Sequence, residues 1–289
     1  MKDERNLVLH PVIHVPDLPD QGRVMRGVFT IVMVGGLFVA ASGLEAQPLA
    51  QRVSAVRTGT VRFEYAAAEG VCGNGRGNIS VRREGSRIST AGSASSVRGR
   101  EWEDECEPGP VRIALDVTRG DVTGVRSYVG GRWLGVADLD LGAVSPADAS
   151  DYLLTLAESA DDEVAKDAIF PGTIAAGVTH WARLLTLAKN ERRSREVRNS
   201  AVFWVGQGAA EAATKGLQEI VDDPDGDREV RKSAVFALSQ RPRDEAVPAL
   251  IRIAKTHRDP ELRRSAIFWL GQSRDARAIS YFEEVLLPR

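Results

Sequence analysis

Three segments of this chain are close copies of one another: REVRNSAVFWVGQ at Arg195–Gln207, REVRKSAVFALSQ at Arg228–Gln240 and PELRRSAIFWLGQ at Pro260–Gln272. The third residues of these segments are 33 and 32 positions apart. A fixed period of this length is typical of helical solenoids, whose helix pairs bury their apolar faces only by stacking on neighbours. The repeat therefore predicts an α-solenoid, an architecture that usually presents surfaces to partners.

A degenerate fourth copy precedes the three clear ones. Val164 lies 33 residues before Val197, and the same period continues in the second helix of each pair. The equivalent positions in those second helices are Leu184, Leu217, Leu250 and Phe282. We therefore expect four helix pairs in a solenoid over residues 145–289. Pro171 predicts that the first leading helix is short or kinked, because proline removes a backbone donor.

These motifs resemble HEAT repeats, specifically the short bacterial kind also called phycobilisome-lyase-type HEAT-like repeats. The acid-Val-Arg opening, the alanine four residues later and the Leu/Val-Gly close carry the resemblance over residues 162–287. The best matches are Asp227–Arg231 and Asp259–Arg263. The resemblance implies a solenoid but not one function, since such units serve adaptors, lyase subunits and scaffolds. The region before the repeats resembles no family that we recognise.

The first 46 residues have the features of an N-terminal extension followed by a signal peptide. The apolar run GVFTIVMVGGLFVAA at Gly27–Ala41 follows Arg26, a cleavage site follows Ala46, and Met25 is an alternative start. This run is shorter than the ~20 residues that a membrane-spanning helix needs. We therefore expect a periplasmic or secreted protein. The alternative is an inner-membrane protein anchored by residues 27–41.

Residues 58–142 change to short alternating runs separated by glycines, which predicts a small antiparallel β domain. A linker over 47–57 precedes this domain, so the predicted class is α+β. In an oxidising compartment, Cys72 and Cys106 are expected to form a disulfide. Ser145, followed by proline, predicts the start of the helical half.

Composition and motifs argue against several functions. The formal net charge is −2, from 38 basic and 40 acidic residues, which provides no field for binding nucleic acid. The sequence contains no P-loop and none of the hydrolase, zinc-protease or β-lactamase motifs. We therefore expect no metal, no cofactor and no enzymatic activity. An uncharacterised active site between the two domains is the weakest alternative.

A regular aromatic column is the candidate binding site. Its members occupy one position of each leading helix and are Phe170, Phe203, Phe236 and Phe268. A glutamine column flanks it at Gln207, Gln240 and Gln272. Two interpretations remain open. The rings pack between adjacent helices or beneath the β domain, or they form an exposed stripe that binds a partner or a second copy.

A third column consists of Arg198, Arg231 and Arg263, for which we expect structural contacts with the turns between repeats rather than an anion-binding role.

Taken together, the patterns favour an exported adaptor or scaffold that binds an unknown protein partner. Membrane association is expected only if the N-terminal apolar segment is retained. The alternative function is a periplasmic protein whose β domain binds a small molecule or a glycan.

Overall fold

The computed structural model describes residues 47–83, 86–89, 106–133, 135–208 and 211–287. The predicted signal peptide, its alternative as an anchor over 27–41 and the alternative start at Met25 lie outside these ranges. Residues 46–289 belong to one compact unit.

The first part of the described chain contains one short helix and eight strands. These are α1 (Leu49–Ser54), β1 (Thr58–Tyr65), β2 (Val71–Gly73), β3 (Ile79–Arg83), β4 (Ser86–Ser89), β5 (Glu107–Pro108), β6 (Val111–Thr118), β7 (Asp121–Val129) and β8 (Leu139–Ala143). The strands form two four-stranded sheets, with the orders β7-β6-β1-β8 and β4-β3-β2-β5. The predicted β region is confirmed.

One pairing departs from the predicted antiparallel pattern. β1 runs antiparallel to β6, with Tyr65 opposite Val111, but parallel to β8, with Val61 opposite Leu139. The loop between β7 and β8 crosses the face of the sheet, where the Trp133 ring lies against Arg62 of β1 and Arg112 of β6. The chain thereby reaches the far edge of the sheet in the direction of β1.

The predicted disulfide is confirmed. Cys72 in β2 is bonded to Cys106, and the two Cα atoms are 5.2 Å apart. Cys106 immediately precedes β5, which pairs with β2 through Cys72 and Pro108. The bond therefore joins two neighbouring segments of the second sheet.

The rest of the described chain is helical. The helices are α2 (Pro146–Ser159), α3 (Asp162–Thr173), α4 (Trp181–Lys189), α5 (Arg195–Gly206), α6 (Glu211–Asp222), α7 (Arg228–Ser239), α8 (Arg243–Thr256), α9 (Pro260–Ser273) and α10 (Ala276–Leu286). Four pairs, each with a leading and a second helix, follow α2. Their starts follow local chemistry: the side chains of Ser145, Asp227, Asp259 and Asp275 accept backbone N–H bonds at the first turns of α2, α7, α9 and α10.

Two hydrophobic clusters meet at α3, between the β region and the later helices. Val164 and Ala168 of α3 are buried in one cluster with sheet residues, whereas Ala165 and Ile169 of the same helix are buried in the solenoid cluster. Residues 47–57, predicted as a linker, contain α1, whose Leu49 is also buried in the sheet-side cluster. The helix α3 therefore packs on the β region with one side and on the solenoid with the other.

Polar contacts strengthen this junction at the end of α3. The buried Tyr65 hydroxyl donates to the Pro171 carbonyl at 2.6 Å, and Ser150 Oγ donates to the Gly172 carbonyl at 2.7 Å. Burial raises the pKa of Tyr65 well above its ordinary value, so the hydroxyl stays protonated as a donor. Pro171 does not shorten α3, which has 12 residues like α5 and α7. Because Pro171 lies in the last turn of α3, the backbone donor that it lacks removes one hydrogen bond near the end of the helix rather than in its middle.

Candidate functional site

The phenylalanine column of the leading helices is part of a longer aromatic array. The array runs through Phe170, Trp204, Phe203, Phe236, Trp269 and Phe268, with ring centroids 4.8, 5.0, 6.3, 4.9 and 4.9 Å apart. Three of these contacts join one repeat to the next. The array is therefore continuous across all four leading helices.

Exposure of the four phenylalanines changes along the array. Phe170, Phe203 and Phe236 are half-buried, because each packs on an aromatic ring of the following repeat. Phe268 has no following repeat among the described residues and is 57% exposed. The first interpretation, packing between leading helices, describes these contacts, while the outer edges of the rings remain accessible. A binding role for the column stays a prediction.

Neutral polar residues border the phenylalanines on both sides. Ser200, Ser233 and Ser265 lie three positions earlier in α5, α7 and α9, and all three are partly exposed. On the other side, Gln240 and Gln272 are exposed and Gln207 is half-buried. We call this surface, formed by the four phenylalanines with the serine and glutamine columns, the ladder face. It is an uncharged strip with an apolar centre.

The arginine column contacts the turns between repeats. An Arg198 Nη2 atom lies 3.8 Å from an Asp227 carboxylate oxygen, and Arg231 Nε donates to the Val221 carbonyl at 3.0 Å. Arg263 Nη1 donates to two carbonyls of the turn between α8 and α9, at 2.8 and 3.0 Å. The contacts of Arg231 and Arg263 support the structural interpretation, which stays a prediction, whereas the buried Nε of Arg198 has no hydrogen-bond partner among the described residues.

A cavity of about 500 Å³, which the sequence patterns did not predict, borders the turns before α7 and α9. Three of its lining residues are Arg231, Arg252 and Asp222, and an Arg252 Nη2 atom lies 3.0 Å from an Asp222 oxygen. The lining residue His257 accepts a hydrogen bond at Nδ1 from the backbone N–H of Asp259, 3.0 Å away. The charges of the cavity thus largely compensate one another.

The β region places one aromatic ring on the face of its first sheet. The guanidinium carbons of Arg62 and Arg112 lie 5.0 and 5.9 Å from the Trp133 ring centre. Arg112 also donates to the carbonyls of Gly130 and Gly131, at 2.7 Å each. Cation–π contacts therefore hold Trp133 against the sheet.

Two kinds of feature are missing from the residues that the structure describes. None of the helices in these ranges is both long enough and apolar enough to span a bilayer. The same residues contain no group of three or more His, Cys, Asp or Glu side chains arranged to hold a metal ion.

Comparison with known proteins identifies the later repeats. Residues 214–288 match the family model described as HEAT repeats. No curated protein matches the chain. The match begins in α6, extends past α10 and includes the two clearest copies of the repeated segment. From residue 214 to residue 288, the chain is therefore similar to HEAT repeats.

Proposed function

We propose that this chain is an exported scaffold that binds a protein partner along the ladder face. HEAT repeats generally act as interaction surfaces, which supports a protein partner rather than catalysis. The observation that carries the proposal is the continuous aromatic array, whose outer ring edges follow one surface of four successive helices.

The chemistry of the ladder face suits a protein interface. Cores of interfaces are enriched in aromatic residues and depleted of charge, and their rims are polar. Here the rings lie between uncharged serines and glutamines. Charged residues precede two of the serines by one position, at Lys232 and Arg264, and each is ion-paired within its helix, to Glu229 and Glu261. We expect the partner to bring apolar side chains onto the rings and polar groups to this charge-compensated rim.

The disulfide supports the export part of the proposal. Disulfides persist in oxidising compartments and are rare in the cytosol. The bond between Cys72 and Cys106 lies within a small sheet. We expect the mature protein to begin at Gln47, and N-terminal sequencing of material from the periplasm or medium tests this. An intact first residue in the membrane fraction would instead favour the anchor over residues 27–41.

Site-specific photo-cross-linking in the source organism tests the ladder face. A photoreactive amino acid is placed at Gln240, and in a second variant at Ser233, which flank the same ring. Matched controls carry it at Lys215 and Glu219, which are exposed on the second helix α6. We expect both ladder positions to give one common adduct of defined mass that the controls do not give.

A competing substitution sharpens this test. Phe236→Ser removes the ring that Gln240 and Ser233 flank, and we expect it to weaken the common adduct while circular dichroism shows that the helices remain folded. Equal adducts at ladder and control positions, or no adduct at either ladder position, would contradict the proposal.

A further inference from the structure

The last repeat leaves uncovered the surface on which every earlier repeat receives its neighbour. Ile267 of α9 occupies the position of Ile169, Val202 and Val235, which are all fully buried. Ile267 itself is 40% exposed. The difference arises because no later helix pair among the described residues packs on α9.

The second helix of the last pair shows the same pattern. Val285 of α10 is 54% exposed, whereas its equivalents Ile220 and Ile253 are buried. Leu286 is 74% exposed, although its equivalents in α6 and α8 are buried as well. In a solenoid, an apolar face of this kind is ordinarily buried by stacking against a neighbour.

A glycine of the last leading helix belongs to the same surface. In the second repeat, Gly206 lets α7 approach closely, because a Cβ there would lie 2.9 Å from the Ala237 carbonyl oxygen. Gly271 is the equivalent residue of α9, and a Cβ there would meet no atom of the described residues within 4 Å. The last repeat therefore retains a feature that permits close helix packing without a described helix to fill it.

We infer that this surface pairs with the same surface of a second copy of the chain. The end face, as we call it, consists of Ile267, Phe268, Ile279, Val285, Leu286 and Leu287, which are all exposed. The opposite end of the helical stack is covered, because α3 is buried against the β region. Head-to-tail stacking of the helices is therefore blocked, whereas the pairing of two end faces produces a closed two-fold dimer.

The area of the end face is sufficient for such a dimer. At their observed exposures, the six side chains present on the order of 600–700 Å² per copy, above the largest apolar patch of many monomers. Two copies with their polar rims would bury about 1,200–2,000 Å² in total, which is the range of standard stable interfaces.

Charges on the two helices of the end face are self-complementary. Arg274 lies just after α9, in a left-handed backbone conformation, whereas Glu283 lies beside Ile279 on α10. Both side chains are exposed, and among the described residues neither has an ion-pair partner. A two-fold interface in which Arg274 of one copy meets Glu283 of the other would form this ion pair twice.

Sedimentation velocity over a concentration series tests this inference with the full chain. We expect a dimer for the parent protein and a monomer for Ile279→Glu, with the dissociation constant raised on the order of 100-fold or more because each dimer carries the change twice. Val136→Glu is the matched control, since Val136 is fully exposed in the loop before β8 and lies outside the end face. We expect this control to remain dimeric. A monomeric Ile279→Glu would exclude association through the N-terminal apolar segment, which that change leaves intact.

A charge reversal provides a second readout that does not depend on apolar packing. Glu283→Arg is expected to weaken the dimer, and the double change Glu283→Arg with Arg274→Glu is expected to restore part of the affinity. A parent protein that stays monomeric, or a dimer that Ile279→Glu leaves intact, would overturn the inference. The ladder-face cross-link from Gln240 is expected to survive Ile279→Glu, so the two proposals fail separately.

Discussion

Replacing two equivalent glycines by alanine should have opposite effects on stability. Gly206 ends α5 and Gly271 lies in α9, at the same position of the repeat. At Gly206, an added Cβ would lie 2.9 Å from both the Cβ and the carbonyl oxygen of Ala237. Because the obstructing atoms include backbone, α5 and α7 must move apart to accept a methyl group. At Gly271, the same methyl group enters open space.

The magnitudes follow from helix propensity and overpacking. Alanine is favoured over glycine by about 1 kcal/mol inside a helix, and by less at its last residue. Overpacking of a close helix contact costs about 1–3 kcal/mol. We therefore expect Gly206→Ala to lower the free energy of unfolding by about 1–2 kcal/mol, which corresponds to a fall in Tm of about 2–8 °C. Gly271→Ala should raise the free energy of unfolding by about 0.5–1 kcal/mol.

Urea denaturation monitored by circular dichroism measures the free energy of unfolding of the parent protein and of each variant. The comparison should be made at low protein concentration, where the end face around Gly271 is uncovered. The third repeat has Ser239 at the equivalent position, so the prediction is specific to the contact of Gly206 with Ala237. A neutral or stabilising Gly206→Ala would refute the view that this glycine is required by close packing.

Three further predictions concern the β region and the end of the chain. Tyr65→Phe removes a buried hydrogen bond to α3 and should lower the free energy of unfolding by about 1–3 kcal/mol. The unfolding transitions followed by tryptophan fluorescence and by circular dichroism should then shift together. Separate transitions would contradict the view that the β region and the helices unfold together. Replacing Cys72 and Cys106 by serine opens a link across a sequence separation of 34, which should cost about 3–4 kcal/mol in denaturant unfolding. The Arg277 side chain and backbone N–H hold the pKa of Asp275 at about 2, below its ordinary 3.8. The stability that this carboxylate contributes should therefore be present above about pH 4 and be lost as the pH falls towards 2. An NMR titration, with Asp275→Asn to assign the signal, measures the pKa of the Asp275 carboxyl. A titration midpoint near 4 would contradict the prediction.

The helical repeat was predictable because its signals are local. The segments at Arg195–Gln207 and Arg228–Gln240 begin where α5 and α7 begin and extend one residue past their ends. Asp227 lies just before α7, where its side chain accepts two backbone N–H bonds. Because caps and the 3.6-residue period act within one helix, they can be identified without knowing the neighbours.

The composition of the aromatic array was only half predictable. The period placed one phenylalanine in each leading helix, but it did not join Trp204 to that column. In the structure, Trp204 stacks on Phe170 of the preceding repeat and contacts Phe203 of its own. A large ring can reach across the groove between two helices, and that reach depends on how the helices pack. Periodicity within one helix therefore could not predict it.

The sequence by itself determined four stacked helix pairs, a disulfide-linked β region before them and a column of phenylalanines on the leading helices. Only the tertiary structure decided that α1, α2 and α3 complete the core of the β region, so that one end of the stack is covered. It also decided that Ile267 and Val285 are exposed while their repeat equivalents are buried. Exposure depends on which distant segments pack on a residue, and the repeated sequence is nearly the same whether or not a neighbour is present.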